Sequence, residues 1–121
     1  GSMSIRNSIV AFNGPYGIQW DDNGEGTGFT NEYNCIYGHT DDYLLAAAAG
    51  TGCISVDPEF VSASTHNYRP QPSSDCLDAA TDLGIATDLD GTARPIPASG
   101  DYDMGCYEIE PPPAGTVVVF R

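Results

Sequence analysis

The chain has 121 residues, 17 acidic side chains, four arginines and no lysine, for a formal charge of −13 at neutral pH. That length supports one domain with a modest core, and so few cations exclude recognition of nucleic acid or of an anionic membrane surface, both of which need clustered positive charge. With 40% apolar and 10% aromatic residues, and charges scattered rather than blocked, the acidity belongs to a folded surface suited to cations, hydrated sugars or simple solubility.

In chain order, Gly1-Ser2 reads as an expression scar, and Met3 as either a native start or a boundary, so residues 1–3 are set aside. Residues 4–110 read as short strands between turns: "SIVAF" (8–12), "GIQW" (17–20), "EYNCIYG" (32–38), "GCISVD" (52–57), "EFVSA" (59–63), then "CLDAA" and "CYEIE". Gly and Pro together are too frequent for long helices. The exception is "DDYLLAAAAGTG" (41–52), where an Asp cap, Leu and Ala, and Gly50 as a stop favour a short helical turn. Its four Ala could instead line a crowded interior. Residues 111–121 form a stiff Pro-rich linker, "PPPAG", followed by the apolar strand "TVVVF". No stretch is long and apolar enough to span a membrane.

Matching Asn7 to Asn34 gives a 27-residue step, and Cys35 to Cys53 an 18-residue step. These bracket one coil of a β-solenoid, in which equivalent positions of successive coils touch. Cys35 and Cys53 would then be neighbours, and coil stacking predicts a bond between them. The cysteines at 35, 53, 76 and 106 form no C-x-x-C, which argues against a zinc site. Their even number suggests two disulfides in an oxidising compartment, with three connectivities open. Buried free thiols are the alternative.

The stretch "VDPEFV…NYRPQPSSDCLDAATD…DLDGTARP…DYDMGCYE" resembles the C-terminal segment of right-handed parallel β-helix proteins of the choice-of-anchor Q type. That pattern runs D-P-x-F, then Y-x-L-x-x-x-S-P-x-I-D-x-G, D-x-D-G-x-x-R-P and D-x-G-A-Y-E. It is matched at Asp57, Pro58, Phe60, Tyr68, Ser74, Asp78, Asp88, Asp90, Gly91, Arg94, Pro95, Asp103, Gly105, Tyr107 and Glu108. It covers 57–108, with "NSIVAFN" similar to a preceding coil. Pro70 and Ala80 depart from it, as do Cys76 and Cys106, which stand where the family has small residues. The resemblance implies a Cys76–Cys106 bond, because both positions change together. It also implies a secreted or surface bacterial setting; a native start at Met3 would instead point to the cytoplasm.

Several motifs could carry chemistry. In "DDNGEGTGFTNE" (21–32), Asp21, Asn23, Glu25 and Glu32 fall at positions 1, 3, 5 and 12 of a calcium loop, with Gly26 at the tight turn, making Ca²⁺ the candidate cofactor. Gly28, Phe29 and non-helical flanks argue against an EF-hand, and a solvated Gly/Asp loop is the plainer reading. "DLDG" (88–91) reads as a tight Asx turn. Arg94, among acids, reads as a clamp on Asp103 or Glu108 that closes the last coil. On the resembled fold, a polysaccharide lyase would use such an Arg beside Ca²⁺, so Arg94 is also the catalytic candidate. Tyr16, Trp20, Tyr33 and Tyr37 are candidate sugar-stacking rings, or else packing. His39 and His66 belong to no known constellation.

The expected architecture is all-β: a short right-handed parallel β-helix with a C-terminal cap and an extended tail. The expected role is a non-catalytic structural, adhesive or glycan-binding module. The alternatives are a lyase or hydrolase of polysaccharides, and a self-contained small oligomer. An apolar tail needs a cover, so a homo-oligomer, foremost a dimer, is expected through Val117, Val118, Val119 and Phe120.

Overall fold

The computed structural model describes residues 2–25 and 28–110. Eight strands and one three-residue 3-10 turn, Ala63–Thr65, make the described chain all-β. The strands are β1 (Met3–Arg6), β2 (Ile9–Ala11), β3 (Tyr16–Trp20), β4 (Phe29–Glu32), β5 (Cys35–Tyr37), β6 (Asp41–Leu45), β7 (Phe60–Ser62) and β8 (Asn67–Pro70). Among the described residues, no helix is long and apolar enough to cross a membrane. The linker and the Val117–Phe120 strand lie outside the described residues.

Two passes of the chain stack on each other. β1 pairs in parallel with β4, β2 with β5, and β3 with β6. The step is 26 residues at Met3–Phe29 and Ile9–Cys35, and 25 at Tyr16–Asp41. A third pass touches the second at Ile54, which bridges Cys35 in parallel and exchanges backbone bonds with Ile36 and Asn34 at 3.0 and 2.9 Å. The steps are therefore 26 and 19 residues, where the sequence match gave 27 and 18. Antiparallel β7 and β8 follow.

Side-chain alternation along each strand separates two apolar layers. Val10 and Ile36 turn into a cluster with Ile18, Ala47, Trp20 and Phe29. Their neighbours Ile9, Cys35 and Ile54 turn the other way, against Cys76, Met104 and Ala80. Buried asparagines tie the passes together. The Asn34 side chain accepts from Ser8 N–H at 2.8 Å and donates to Ile5 O at 2.8 Å and Asn31 Oδ1 at 2.6 Å, while Asn31 donates to Ala48 O at 2.7 Å. These bonds satisfy polar groups that would otherwise be buried without a partner.

The bend before the middle strand is left-handed in every pass: Asn7, Tyr33 and Gly52 have φ of 53°, 54° and 70°. Glycine is required at the third, because the Tyr33 ring lies where a Cβ on Gly52 would project.

Two expectations change. Residues 41–45 form β6, with no helical turn over 41–52. Helix propensity is worth only tenths of a kcal/mol per residue, and the ladder to β3, extended by Ala46 N–H to Trp20 O at 2.9 Å, outweighs it. Only Ala47 of the four alanines is buried.

The C-terminal stretch packs on the outward side of β2, β5 and Ile54 and reaches the first pass. Gly105 N–H donates to Asn7 O at 2.7 Å, and Asn7 exchanges two bonds with the Thr81 backbone at 2.6 and 3.0 Å.

All four cysteines, Cys35, Cys53, Cys76 and Cys106, are free thiols. Cys53 is one residue out of register with Cys35, which a period of two sends to the other face, where it meets Asn31 O at 3.4 Å. Cys76 is buried with Cys35, whereas Cys106 is exposed.

Candidate functional site: an acid-free aromatic cleft

A cleft of about 680 Å³ opens where three stretches meet. The end of β1 and the residue after β2 supply Arg6 and Phe12, the β7–β8 hairpin supplies Phe60 and Tyr68, and the C-terminal stretch supplies Arg94 and Tyr102. The rings form a row. Phe12 meets Tyr37 edge-on at 5.8 Å, Phe60 meets Phe12 at 6.5 Å and Tyr68 at 5.4 Å, and His66 stacks on Tyr68 at 6.1 Å. Local backbone aims this row. Phe12 sits at φ 57°, and its ring covers Gly38, where a Cβ would collide with it.

The cleft's charge is unlike that of the chain. With 17 acids in 121 residues, none of the described residues lining it is acidic, and two of the four arginines are there. The arginines differ. Arg94 is nearly buried: Nε donates to Glu108 Oε2 at 2.9 Å, and Nη2 donates to Asp103 O at 2.7 Å and Gly105 O at 3.5 Å. These bonds commit it to holding the C-terminal stretch together. Arg6 meets Glu32 through a half-exposed pair at 3.2 Å, a contact weak enough to be exchanged for a ligand.

Around Arg94, the Asp103 carboxylate accepts from Asp78 N–H at 2.8 Å and Ile109 N–H at 2.7 Å. Burial nevertheless pushes its pKa up to about 6. Asp88 accepts from the backbone of Asp90, Thr92 and Glu108, each at 2.9 Å. Burial pushes its pKa up, but those three N–H groups and the Arg94 charge outweigh it and hold the carboxyl below the usual range. The "DLDG" stretch is thus a bonded Asx turn.

The other candidate groups lie elsewhere. Asp21 and Asp22 accept from the backbone of Asn23 and Gly24 at 3.0 and 2.9 Å, and Glu25 N–H donates to Asp22 O at 3.0 Å. Glu32 turns to Arg6. Gly26 lies outside the described residues. Among the described residues, no three of His, Cys, Asp and Glu gather to hold a metal.

The four candidate sugar-stacking rings do not gather either. Trp20 stacks on Phe29 at 5.4 Å inside the inner layer, Tyr33 and Tyr37 pack against the outer one, and Tyr16 is exposed at the start of β3. His39, Asp42 and Ser55 form a bonded row, with Asp42 accepting from both at 2.9 and 2.8 Å. Burial raises the Asp42 pKa, but the His39 and Ser55 bonds outweigh it, so the carboxyl sits below its ordinary value. The Ser55 hydroxyl bonds the carboxylate and not the imidazole, so the row is not a serine–histidine pair.

Sequence reading misses Phe12, Phe60, Tyr68 and Tyr102 because they converge from distant stretches. One signal was present. The two longest acid-free runs are residues 1–20 and 60–74, and each supplies part of the cleft. No family model matches the chain, and neither does any curated protein or solved structure.

Proposed function

We propose that this chain is a non-catalytic, glycan-binding module built as a short right-handed parallel β-helix of a secreted or surface protein. Three parallel strand pairs with nearly one step, tied by buried asparagines, favour stacked coils. The observation that carries the binding role is the cleft. A row of aromatic rings offers faces to the C–H side of a sugar, while Arg6 and the phenol of Tyr68 offer donors and acceptors to its hydroxyls. Few convergent polar groups in an apolar concavity are the usual make-up of a small-ligand site.

The experiment is a glycan array followed by calorimetry on the intact chain, on Tyr68→Ala and on Trp20→Phe. Binding to a short oligosaccharide should fall at least tenfold with Tyr68→Ala and stay unchanged with Trp20→Phe, which alters the inner layer alone. No glycan retained, or equal affinity for all three proteins, defeats the reading. Unsaturated or hydrolysed products from the bound oligosaccharide would move the protein to the enzyme class.

A further inference from the structure

Cys35 and Cys76 are both fully buried and touch in the layer between β5 and the C-terminal stretch, beside Met104. They come from opposite sides of that layer: Cys35 is a paired residue of β5, and Cys76 follows the β7–β8 hairpin. Each is held from its own side. The Cys35 thiol donates to Val56 O at 3.2 Å. Cys76 N–H donates to Ser74 Oγ at 3.1 Å, and its carbonyl accepts from Met104 N–H at 2.9 Å. The other two thiols have no such partner: Cys53 points at Asn31, and Cys106 is exposed at the cleft.

We propose that Cys35 and Cys76 are a cross-linking pair, which a disulfide of the glutathione class oxidises to a bond pinning the C-terminal stretch to β5. The pairing differs from both pairings that the sequence suggests, and it does not rest on the glycan reading. A thiolate of the pair attacks the small disulfide, forming a mixed disulfide and releasing one small thiol. The second protein thiol loses its proton and attacks the protein sulfur of that adduct, releasing the second small thiol. Two protein thiols are oxidised and one small disulfide is reduced. In the native contact, the thiol–thiol hydrogen bond lowers the Cys35 pKa and raises that of Cys76.

Burial confines the reaction to folding, or to openings in which the C-terminal stretch leaves β5. That makes it a bond of an oxidising compartment. The stretch that it pins carries Leu83, Ile85, Arg94 and Tyr102 to the cleft, so the bond fixes one cleft wall.

The test is refolding in a reduced/oxidised glutathione buffer, with thiol titration in denaturant and intact mass. Wild type should keep two titrating thiols, and Cys76→Ser should keep three. A variant carrying Cys53→Ser and Cys106→Ser should keep none, be lighter by two hydrogens, and melt roughly 10 °C above its reduced form. Four thiols in wild type, glutathione adducts on the double variant, or loss of two thiols from Cys76→Ser would each overturn the pairing. If the double variant does not fold, wild type and Cys76→Ser still decide.

Discussion

Arg94→Ala tests whether the C-terminal stretch is held as its geometry implies. The guanidinium is 8% exposed and Glu108 is 0% exposed, with 2.9 Å between Nε and Oε2. Without Arg94, Glu108 keeps only two long N–H contacts, from Ile96 at 3.4 Å and Asp103 at 3.3 Å. Removing one partner of a buried pair costs about 3–5 kcal/mol, because the remaining charge is desolvated and uncompensated. The orphaned Asp103 carbonyl adds about 1 kcal/mol. A domain of this size has about 6–18 kcal/mol in total, so the variant should be marginal. Arg69→Ala is the control. Its pair with Asp90 is shorter, at 2.6 Å, but 40% and 47% exposed, and solvent screening should leave little effect. The assay is urea unfolding followed by Trp20 fluorescence at neutral pH. Adding Glu108→Gln to Arg94→Ala should recover part of the loss by removing the buried charge. Equal losses for Arg94→Ala and Arg69→Ala, or no recovery in the double variant, would refute burial as the source of the energy.

Three further outcomes are expected. Asp103, raised to about 6 from 3.8, binds its proton more tightly when folded, so its contribution is full below pH ~4 and lost as pH rises through ~6. The protein should be about 1 kcal/mol more stable to urea at pH 5 than at pH 7, and Asp103→Asn should abolish the difference; a monotonic loss toward pH 5 contradicts it. Gly50→Ala places a methyl on the Asn31 carbonyl oxygen, whereas the same change at Gly91 meets open space at φ 82°. Gly50→Ala should therefore cost about 2 kcal/mol or more and Gly91→Ala about 1 kcal/mol in the same unfolding assay, and the reverse order would rule out the close approach. Light scattering on the intact chain and on one cut after Glu110 tests the expected dimer through Val117–Phe120; only an oligomer that becomes monomeric on cutting supports it.

Strand content was legible where residues choose it by themselves, and hidden where a neighbour chooses it. "SIVAF" and "GIQW" carry β-branched and aromatic residues beside turn signals, and β2 and β3 lie there. "FTNE" is polar and gives no strand signal, yet β4 forms because β1 offers it a full ladder from Met3–Phe29 to Arg6–Glu32. The same override turns "DDYLL" from helix to strand. Arg94 near Glu108 follows from chemistry that a sequence does show: a chain with four cations and 17 acids must place each cation carefully.

Register was the harder quantity, and a single residue decides it. Matching Asn7 to Asn34 pairs like with like, but their roles differ. Asn7 occupies the left-handed bend, while Asn34 follows that bend and aims its amide inward at Ser8 and Ile5. The true partner of Asn7 is Tyr33, which shares its φ but not its chemistry. A slip of one residue exchanges the faces of a strand, and it moves Cys35 from Cys53 to Ile54. With Cys35 on the outward face, its sulfur meets the C-terminal stretch and finds Cys76. Backbone conformation, not residue identity, aligns these passes, and so the cysteine partners followed from the fold and could not precede it.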